Sequence, residues 1–181
     1  MGERYEVRFS GSGGQGIILA GVILAEAACL YEGKNAIQTQ SYGPEARGGA
    51  SKSEVVISDS YIDYPKTLGI NTLVCLTQEA CTTYSKDLSK GGLLIVDSDM
   101  VTDIPDRGFK VYKLPFLKTA AEGVGKAFVI NIVALGSLVE LTKVVSKEAI
   151  EKAVLARVPK GTESLNKKAL SLGFEIARAQ N

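Results

Sequence analysis

The chain has 181 residues, of which 45% are hydrophobic and 23% are charged, and its formal net charge is +1. This balance is typical of a folded globular protein, and we expect a single domain over residues 1–181. The near-neutral charge gives no basis for binding nucleic acid or an anionic membrane. The chain contains no histidine, which removes every Ser-His or Cys-His catalytic arrangement.

The amino terminus and the cysteines bear on the compartment. Residues 1–4 lead directly into a strand-like segment, so we expect no signal peptide, and the longest apolar run, residues 17–31, is too short to span a bilayer. Cys29, Cys75 and Cys81 are odd in number and lack C-x-x-C spacing. This argues against a disulfide framework, a zinc site and an iron–sulfur cluster. We interpret them as core thiols of a cytoplasmic protein.

The first half of the chain predicts strands and one apolar helix. Residues 5–10 alternate and end in glycines, which is typical of a strand. Residues 14–32 predict a helix that is apolar on nearly every side, so we expect it to lie between the sheet and another surface. Strands are predicted at residues 36–40 and 53–58. Because no crossover helix fits between these two, at least one strand should be antiparallel.

The second half predicts alternating strands and helices, and then helices alone. Short apolar runs predict buried parallel strands, and apolar residues at helical spacing predict helices. Ser146 is predicted to cap the helix at residues 146–157. The fold class that follows is α/β, a three-layer Rossmann-like domain with a mixed, mainly parallel sheet and a helical C-terminal third. The predicted elements are strands at 72–76, 93–97 and 108–112, and helices at 78–89, 126–141, 146–157 and 163–180.

A first glycine loop joins the first strand to the first helix. Its candidate binding residues are Gly11, Gly13, Gly14, Gln15 and Gly16, which satisfy G-x-G-x-x-G between a strand and a helix. Backbone N–H groups can approach a phosphate there, and the helix dipole favours an anion. A nicotinamide dinucleotide is disfavoured, because residues 38–41 carry no acid to hold the ribose. Alternatively, these glycines only turn the chain.

A second glycine loop follows the second strand. Because it leaves the carboxyl end of that strand, both loops should meet at the sheet edge where α/β folds bind ligands. Arg47 could bring a guanidinium to an anion held by the first loop. Alternatively, the loop is a tight turn in which Arg47 pairs with Glu45 or Asp63. The candidate binding residues of this loop are Tyr42, Gly43, Arg47, Gly48 and Gly49.

Four other polar residues stand out. Asn131 lies in an apolar helical stretch, and we expect it to make a structural hydrogen bond. Asp97 and Asp99 follow a predicted strand, and we interpret them as turn or helix caps because no convergent metal ligands accompany them. Glu26 lies inside the apolar helix and receives no assignment.

Several of these segments together resemble a known family. They are the GSGGQG loop, residues 38–58 (QTQSYGPEARGGASKSEVVIS), and the later LTQEA, NIVALG and NKKAL stretches. The chain is similar over essentially its whole length to the gamma subunit of 2-oxoacid:ferredoxin oxidoreductases. Its second loop is most similar to that of the 2-oxoglutarate branch.

The resemblance implies an enzyme complex that converts a 2-oxoacid, coenzyme A and oxidised ferredoxin to acyl-CoA, carbon dioxide and reduced ferredoxin. Thiamine diphosphate, magnesium and iron–sulfur clusters would belong to alpha, beta and ferredoxin-like delta subunits. This chain would hold no cofactor and be inactive alone. It would help to assemble the complex and shape the coenzyme A site, with the two glycine loops as the coenzyme A or anion edge.

Alternatives to this function stay open. The same role could be played in a pyruvate, branched-chain 2-oxoacid or indolepyruvate enzyme, or the chain could be a stand-alone coenzyme- or nucleotide-binding protein. We also expect the isolated chain to self-associate, because an uncovered subunit interface leaves apolar surface exposed.

Overall fold

A computed structural model describes residues 4–41 and 50–180 of the protein. Within these ranges, six strands form one sheet in the order β2-β3-β1-β4-β5-β6. Their bounds are β1 Arg4–Ser12, β2 Asn35–Ser41, β3 Ala50–Ser58, β4 Ile70–Cys75, β5 Leu88–Asp97 and β6 Lys110–Leu114.

The sheet is mixed. Strands β1, β4, β5 and β6 pair in parallel, whereas β3 is antiparallel to both of its neighbours, β1 and β2. The connection between β2 and β3 is too short for a crossover helix, which is the reason that β3 reverses direction. The predicted α/β class with an antiparallel strand is therefore confirmed.

The helices cover both faces of the sheet. Their bounds are α1 Ile17–Glu26 with Ala27–Tyr31, α2 Gln78–Tyr84, α3 Phe116–Lys118 with Thr119–Val124, α4 Ile130–Thr142, α5 Lys147–Arg157 and α6 Glu163–Arg178. Ser146 caps α5 through a hydrogen bond from Ala149 N, as predicted (3.1 Å). Short 3-10 turns follow α2 and precede α4, and π-helical segments extend α1 and α3. None of the helices in the described ranges is long and apolar enough to cross a bilayer.

The larger core lies between the sheet and helices α1, α4, α5 and α6. Every residue from Ile130 to Glu140 is buried, so α4 is enclosed on all sides. Helix α6 packs on α4 so closely that their backbones meet: a Cβ built on Gly136 would lie 2.5 Å from the carbonyl oxygen of Leu170. These helices place the start of α4 beside the first glycine loop.

The opposite face of the sheet is covered by α2 and the segment that follows β5. Cys75 and Cys81 lie in this smaller core, and burial raises the pKa of the Cys75 thiol well above its usual range. Cys29 is only partly buried, and its sulfur lies 3.8 Å from the carbonyl oxygen of Ala36. The prediction of core thiols holds for two of the three cysteines.

Several predicted bounds were wrong. The first helix begins at Ile17 and not at residue 14, because Gly14 and Gly16 have φ values of +87° and +71° and cannot belong to a right-handed helix. Strand β5 begins five residues earlier than predicted and β6 two residues later. The helical segment over residues 116–124 was not predicted at all.

One carboxylate is buried among cations where α4, α5 and α6 meet. Glu140 is 6% exposed, and it forms ion pairs with Lys143 (3.0 Å), Lys147 and Arg178 (3.5 Å). Burial alone raises the pKa of Glu140, but hydrogen bonds and charge from Lys147 and Lys143 outweigh burial and lower the pKa from 4.5 to about 2.

We predict that Glu140→Gln lowers the free energy of unfolding by about 1–3 kcal/mol at neutral pH. Because the folded-state pKa lies below the unfolded-state value, ionised Glu140 stabilises the fold above about pH 5, and that contribution disappears as the pH falls from about 5 to about 2. Urea unfolding of both proteins across this range measures the difference. Glu122→Gln, at an exposed position, is the control. A Glu140→Gln deficit that does not shrink on acidification would contradict the prediction.

Candidate functional site

The candidate site lies at the carboxyl edge of β1 and β2. Ser12 at the end of β1 pairs with Ala50, and Ser41 at the end of β2 pairs with Lys52. The ends of the strands that flank both glycine loops therefore lie at one edge of the sheet. Residues 42–49, which include the predicted Tyr42, Gly43, Arg47, Gly48 and Gly49, lie outside the described residues.

The first glycine loop is closed by its own glutamine. The Gln15 side-chain oxygen accepts a hydrogen bond from the backbone N–H of Ser12 (2.8 Å), and Gln15 N donates to the Ser12 carbonyl (3.3 Å). The doubled glycine is explained by the backbone, because Gly14 takes a φ of +87° that an L-residue rarely adopts. Gln15 thus shapes the loop from inside, a role that its sequence position did not reveal.

The four glycines of the G-x-G-G-x-G run serve two purposes. Gly11 and Gly16 are tightly packed: a Cβ on Gly11 would lie 3.1 Å from Ile17 Cδ1, and one on Gly16 would lie 2.7 Å from Asn131 Cγ. By contrast, Gly13 and Gly14 are exposed, and a Cβ on either would meet nothing within 4 Å. Only Gly13 and Gly14 present backbone that a ligand could approach.

The amino terminus of α1 opens onto this exposed backbone. Its N-cap is Gly16, which offers no side-chain hydrogen bond, and the first turn contains no acidic residue. The first N–H groups of a helix have no intrahelical partner, and the helix dipole adds positive potential. This arrangement suits the phosphate or carboxylate of a ligand.

A cleft of about 280 Å³ lies beside the loop. Its walls are mainly apolar and include the exposed ring of Phe128, and its polar side chains are Asn131, Thr162 and Asn166. Asn131 Nδ2 donates to the carbonyl oxygen of Gly16 (3.2 Å), which ties α4 to the loop. The predicted structural hydrogen bond of Asn131 is therefore confirmed, and it holds the N-cap residue of α1 in place.

Two polar side chains, those of Asp97 and Gln78, hold the segment that follows β5. Asp97 accepts hydrogen bonds from the backbone N–H groups of Asp99 (2.9 Å), Met100 (3.0 Å) and Leu117 (2.8 Å), so the predicted capping role of Asp97 is confirmed. Gln78 accepts from the N–H groups of residues 102 and 103. Within residues 4–41 and 50–180, no group of three or more His, Cys, Asp and Glu side chains is placed to hold a metal ion.

The structure also assigns Glu26. Arg157 Nε donates to both carboxylate oxygens of Glu26, at 2.9 and 2.7 Å, and this ion pair joins α1 to the end of α5. The pair raises the pKa of Arg157. Because the two residues lie 131 positions apart, no local pattern could have revealed the pair.

Comparison with known proteins decides the family. The sequence model of the pyruvate ferredoxin/flavodoxin oxidoreductase family matches residues 6–176. The chain belongs to this family. The resemblance suggested by the two glycine loops and the LTQEA, NIVALG and NKKAL stretches is thereby confirmed.

Two relatives from one organism differ in how similar they are to this chain. The chain is 57% identical over 97% of its length to the 2-oxoglutarate synthase subunit KorC of Methanocaldococcus jannaschii, and covers 95% of that protein. It is 30% identical over 93% of its length to the pyruvate synthase subunit PorC of the same organism, and covers 94% of it.

A solved structure agrees with the family assignment. The fold superimposes with a TM-score of 0.91 on the gamma subunit of a keto/oxoacid ferredoxin oxidoreductase from Geobacter sulfurreducens, at 58% identity and with 98% of each chain covered. The predicted three-layer α/β fold is thus shared with a family member along nearly the whole chain.

Proposed function

We propose that this chain is the gamma subunit of a 2-oxoglutarate:ferredoxin oxidoreductase. The observation that carries the proposal is the contrast between two relatives from one organism: 57% identity to a 2-oxoglutarate synthase subunit and 30% to the corresponding pyruvate synthase subunit. A subunit of a pyruvate, branched-chain or indolepyruvate enzyme should not show this preference. In the complex, this chain takes part in the conversion of a 2-oxoacid and coenzyme A to acyl-CoA and carbon dioxide.

We assign to this chain the binding of coenzyme A, at the sheet edge where the two glycine loops lie. Exposed backbone at Gly13 and Gly14, the uncapped start of α1, and Arg47 on the connection between β2 and β3 suit the phosphates of coenzyme A. The apolar cleft beside Asn131 suits a less polar part of the same substrate. This chain would hold and orient coenzyme A and perform no bond-breaking step.

The chemistry that breaks the carbon–carbon bond belongs to other subunits. The likeness to this family supports placing thiamine diphosphate, magnesium and iron–sulfur clusters in alpha, beta and delta subunits, and the three cysteines here lack the spacing of cluster ligands. The partners would be those subunits in the cytoplasm, with ferredoxin binding elsewhere on the complex. The isolated chain would be inactive.

The experiment is an anaerobic purification of the tagged chain from its own cells, followed by assay of coenzyme-A-dependent dye reduction with a panel of 2-oxoacids. We expect larger subunits to co-purify and 2-oxoglutarate to support the fastest reduction. Preference for pyruvate or another oxoacid would overturn the substrate. A chain that elutes alone and inactive would favour a stand-alone coenzyme-binding protein.

A further inference from the structure

The two edge strands of the sheet differ in how they are protected. An edge strand presents unpaired backbone N–H and C=O groups, and soluble proteins usually shield it with charged side chains, proline or bulges. Strand β6 follows this rule, because two of its five residues are Lys110 and Lys113. Strand β2, with the sequence NAIQTQS, has neither a charge nor a proline in seven residues.

Within the described part of the chain, no strand pairs with the outer edge of β2. Its residues are also less well covered than those of the inner strands: residues 36–39 are half-buried, whereas eight of the nine residues of β3 are buried. Pairing with β3 is regular from Asn35 onward, without a bulge that would twist the edge away. The outer edge of residues 35–40 is therefore a regular template for another strand.

An apolar stripe on α1 borders the same edge. Ile18, Val22, Ala25 and Cys29 recur at helical spacing, and all four are half-buried. The Cys29 sulfur lies against the carbonyl oxygen of Ala36 in β2, which places the stripe on the flank of α1 that faces this edge. The other flank of α1 is covered by α4 and α5, so the stripe and β2 form one continuous uncharged surface.

We propose that this surface, the outer edge of β2 with the α1 stripe, joins two copies of this chain through an antiparallel β2–β2′ pair. The full-length register is centred on Gln38. It places Gln38 opposite itself, Ile37 opposite Thr39 and Ala36 opposite Gln40.

This register is self-complementary. No like charges meet, and the two β-branched side chains pair. The Gln38 amide already donates to Ser53 Oγ (2.8 Å) and to the Thr39 carbonyl oxygen (3.2 Å), so Gln38 contributes through its backbone. A twofold axis normal to the sheet makes the interface isologous and places both α1 stripes on the same face of the joined sheet. The carboxyl edges of the two copies then point in opposite directions, so the candidate coenzyme A edge stays open in each copy. The proposal thus does not depend on the function proposed above.

The first test is the mass of the full chain by light scattering at micromolar concentrations. We expect a dimer of 19.2 kDa chains for the wild type. Thr39→Lys gives β2 the protection that β6 already has, so it should raise the dissociation constant of the dimer at least about tenfold and shift the mass toward that of the monomer. Val111→Lys, at an exposed position of β6, is the matched control and should leave the mass unchanged. A monomeric wild type, or a dimer that Thr39→Lys does not weaken, overturns the proposal.

The second test fixes the register. Gln38→Cys should form a disulfide-linked dimer with oxidised glutathione, because facing residues in an antiparallel pair lie within disulfide distance. Val111→Cys and the wild type, treated identically, should not. Failure of Gln38→Cys to cross-link excludes this register. If the chain is monomeric and Thr39→Lys instead prevents co-purification with larger subunits, the edge binds another subunit and the two-copy interface is wrong.

Discussion

Replacing Arg8 with methionine is expected to lower the free energy of unfolding by about 3 kcal/mol at neutral pH, because it removes the buried partner of Glu54 and leaves that carboxylate with only Lys52 (3.1 Å) as a counter-charge. Arg8 is 3% exposed, and its guanidinium donates to Glu54 (2.8 Å from Nε) and to Asp87 (2.6 Å). Burial on its own raises the pKa of Glu54, but Arg8 and Lys52 lower it overall. Urea unfolding measures the loss.

The pH dependence of this loss gives a second check. Because the folded-state pKa of Glu54 lies below its unfolded-state value, ionised Glu54 stabilises the fold at neutral pH and this contribution is lost as the pH falls below its ordinary value. The deficit of Arg8→Met should therefore shrink on acidification. The double variant Arg8→Met/Glu54→Leu, which removes both buried charges, should recover more than half of the lost stability. A double variant as unstable as the sum of its single changes would contradict this account.

Gly173→Ala is expected to destabilise the protein by about 3 kcal/mol, although alanine is the better helix former by about 1 kcal/mol. A Cβ on Gly173 would overlap the carbonyl oxygen of Val133 and lie 3.1 Å from the Cα of Gly136. Because the obstacle is backbone, no side-chain rotation relieves it. Ser137 Oγ also donates to the Gly173 carbonyl (2.8 Å) across the same contact.

The sign of the Gly173 effect decides between close packing and helix propensity. Thermal or urea unfolding of Gly173→Ala should show a loss, whereas Ser171→Ala, at an exposed position of α6, should change stability by no more than about 0.5 kcal/mol. A variant that is more stable than the wild type would mean that α4 and α6 do not approach as closely as described.

Most of the fold could be predicted from the hydrophobic pattern and the loop lengths. The apolar runs of β4 and β5 and the spacing of α4, α5 and α6 were predicted in the right order, and the short β2–β3 connection predicted the antiparallel strand. Residues 116–124 were missed because Pro115 and Gly125 frame a segment too short for a helical period. The π-helical part of this segment, residues 119–124, also lacks the 3.6-residue apolar spacing that predicts an α-helix.

The buried polar contacts could not be predicted, because they join distant positions. Arg8 alternates with apolar residues along β1, a pattern typical of a strand face in water. It is buried because Tyr84 lies over its guanidinium (5.3 Å) and residues 67–69 close the same face. Likewise, Gln15 and Asn131 shape the first loop through contacts that sequence spacing does not reveal. Those contacts divide the predicted glycines into packed and exposed ones.

The proposed binding of coenzyme A at the first glycine loop is tested most directly by the Michaelis constant for coenzyme A of the assembled enzyme carrying Gly13→Val. Gly13 is exposed and a Cβ there meets nothing within 4 Å, so the variant should fold and assemble normally while blocking approach of a phosphate to the loop. We expect the constant for coenzyme A to rise at least about tenfold, as for Arg47→Ala, with that for the 2-oxoacid unchanged. Ala121→Val, at an exposed position that does not line the cleft, controls for added surface bulk. An unchanged Michaelis constant for coenzyme A in both Gly13→Val and Arg47→Ala would contradict the claim that this edge holds coenzyme A.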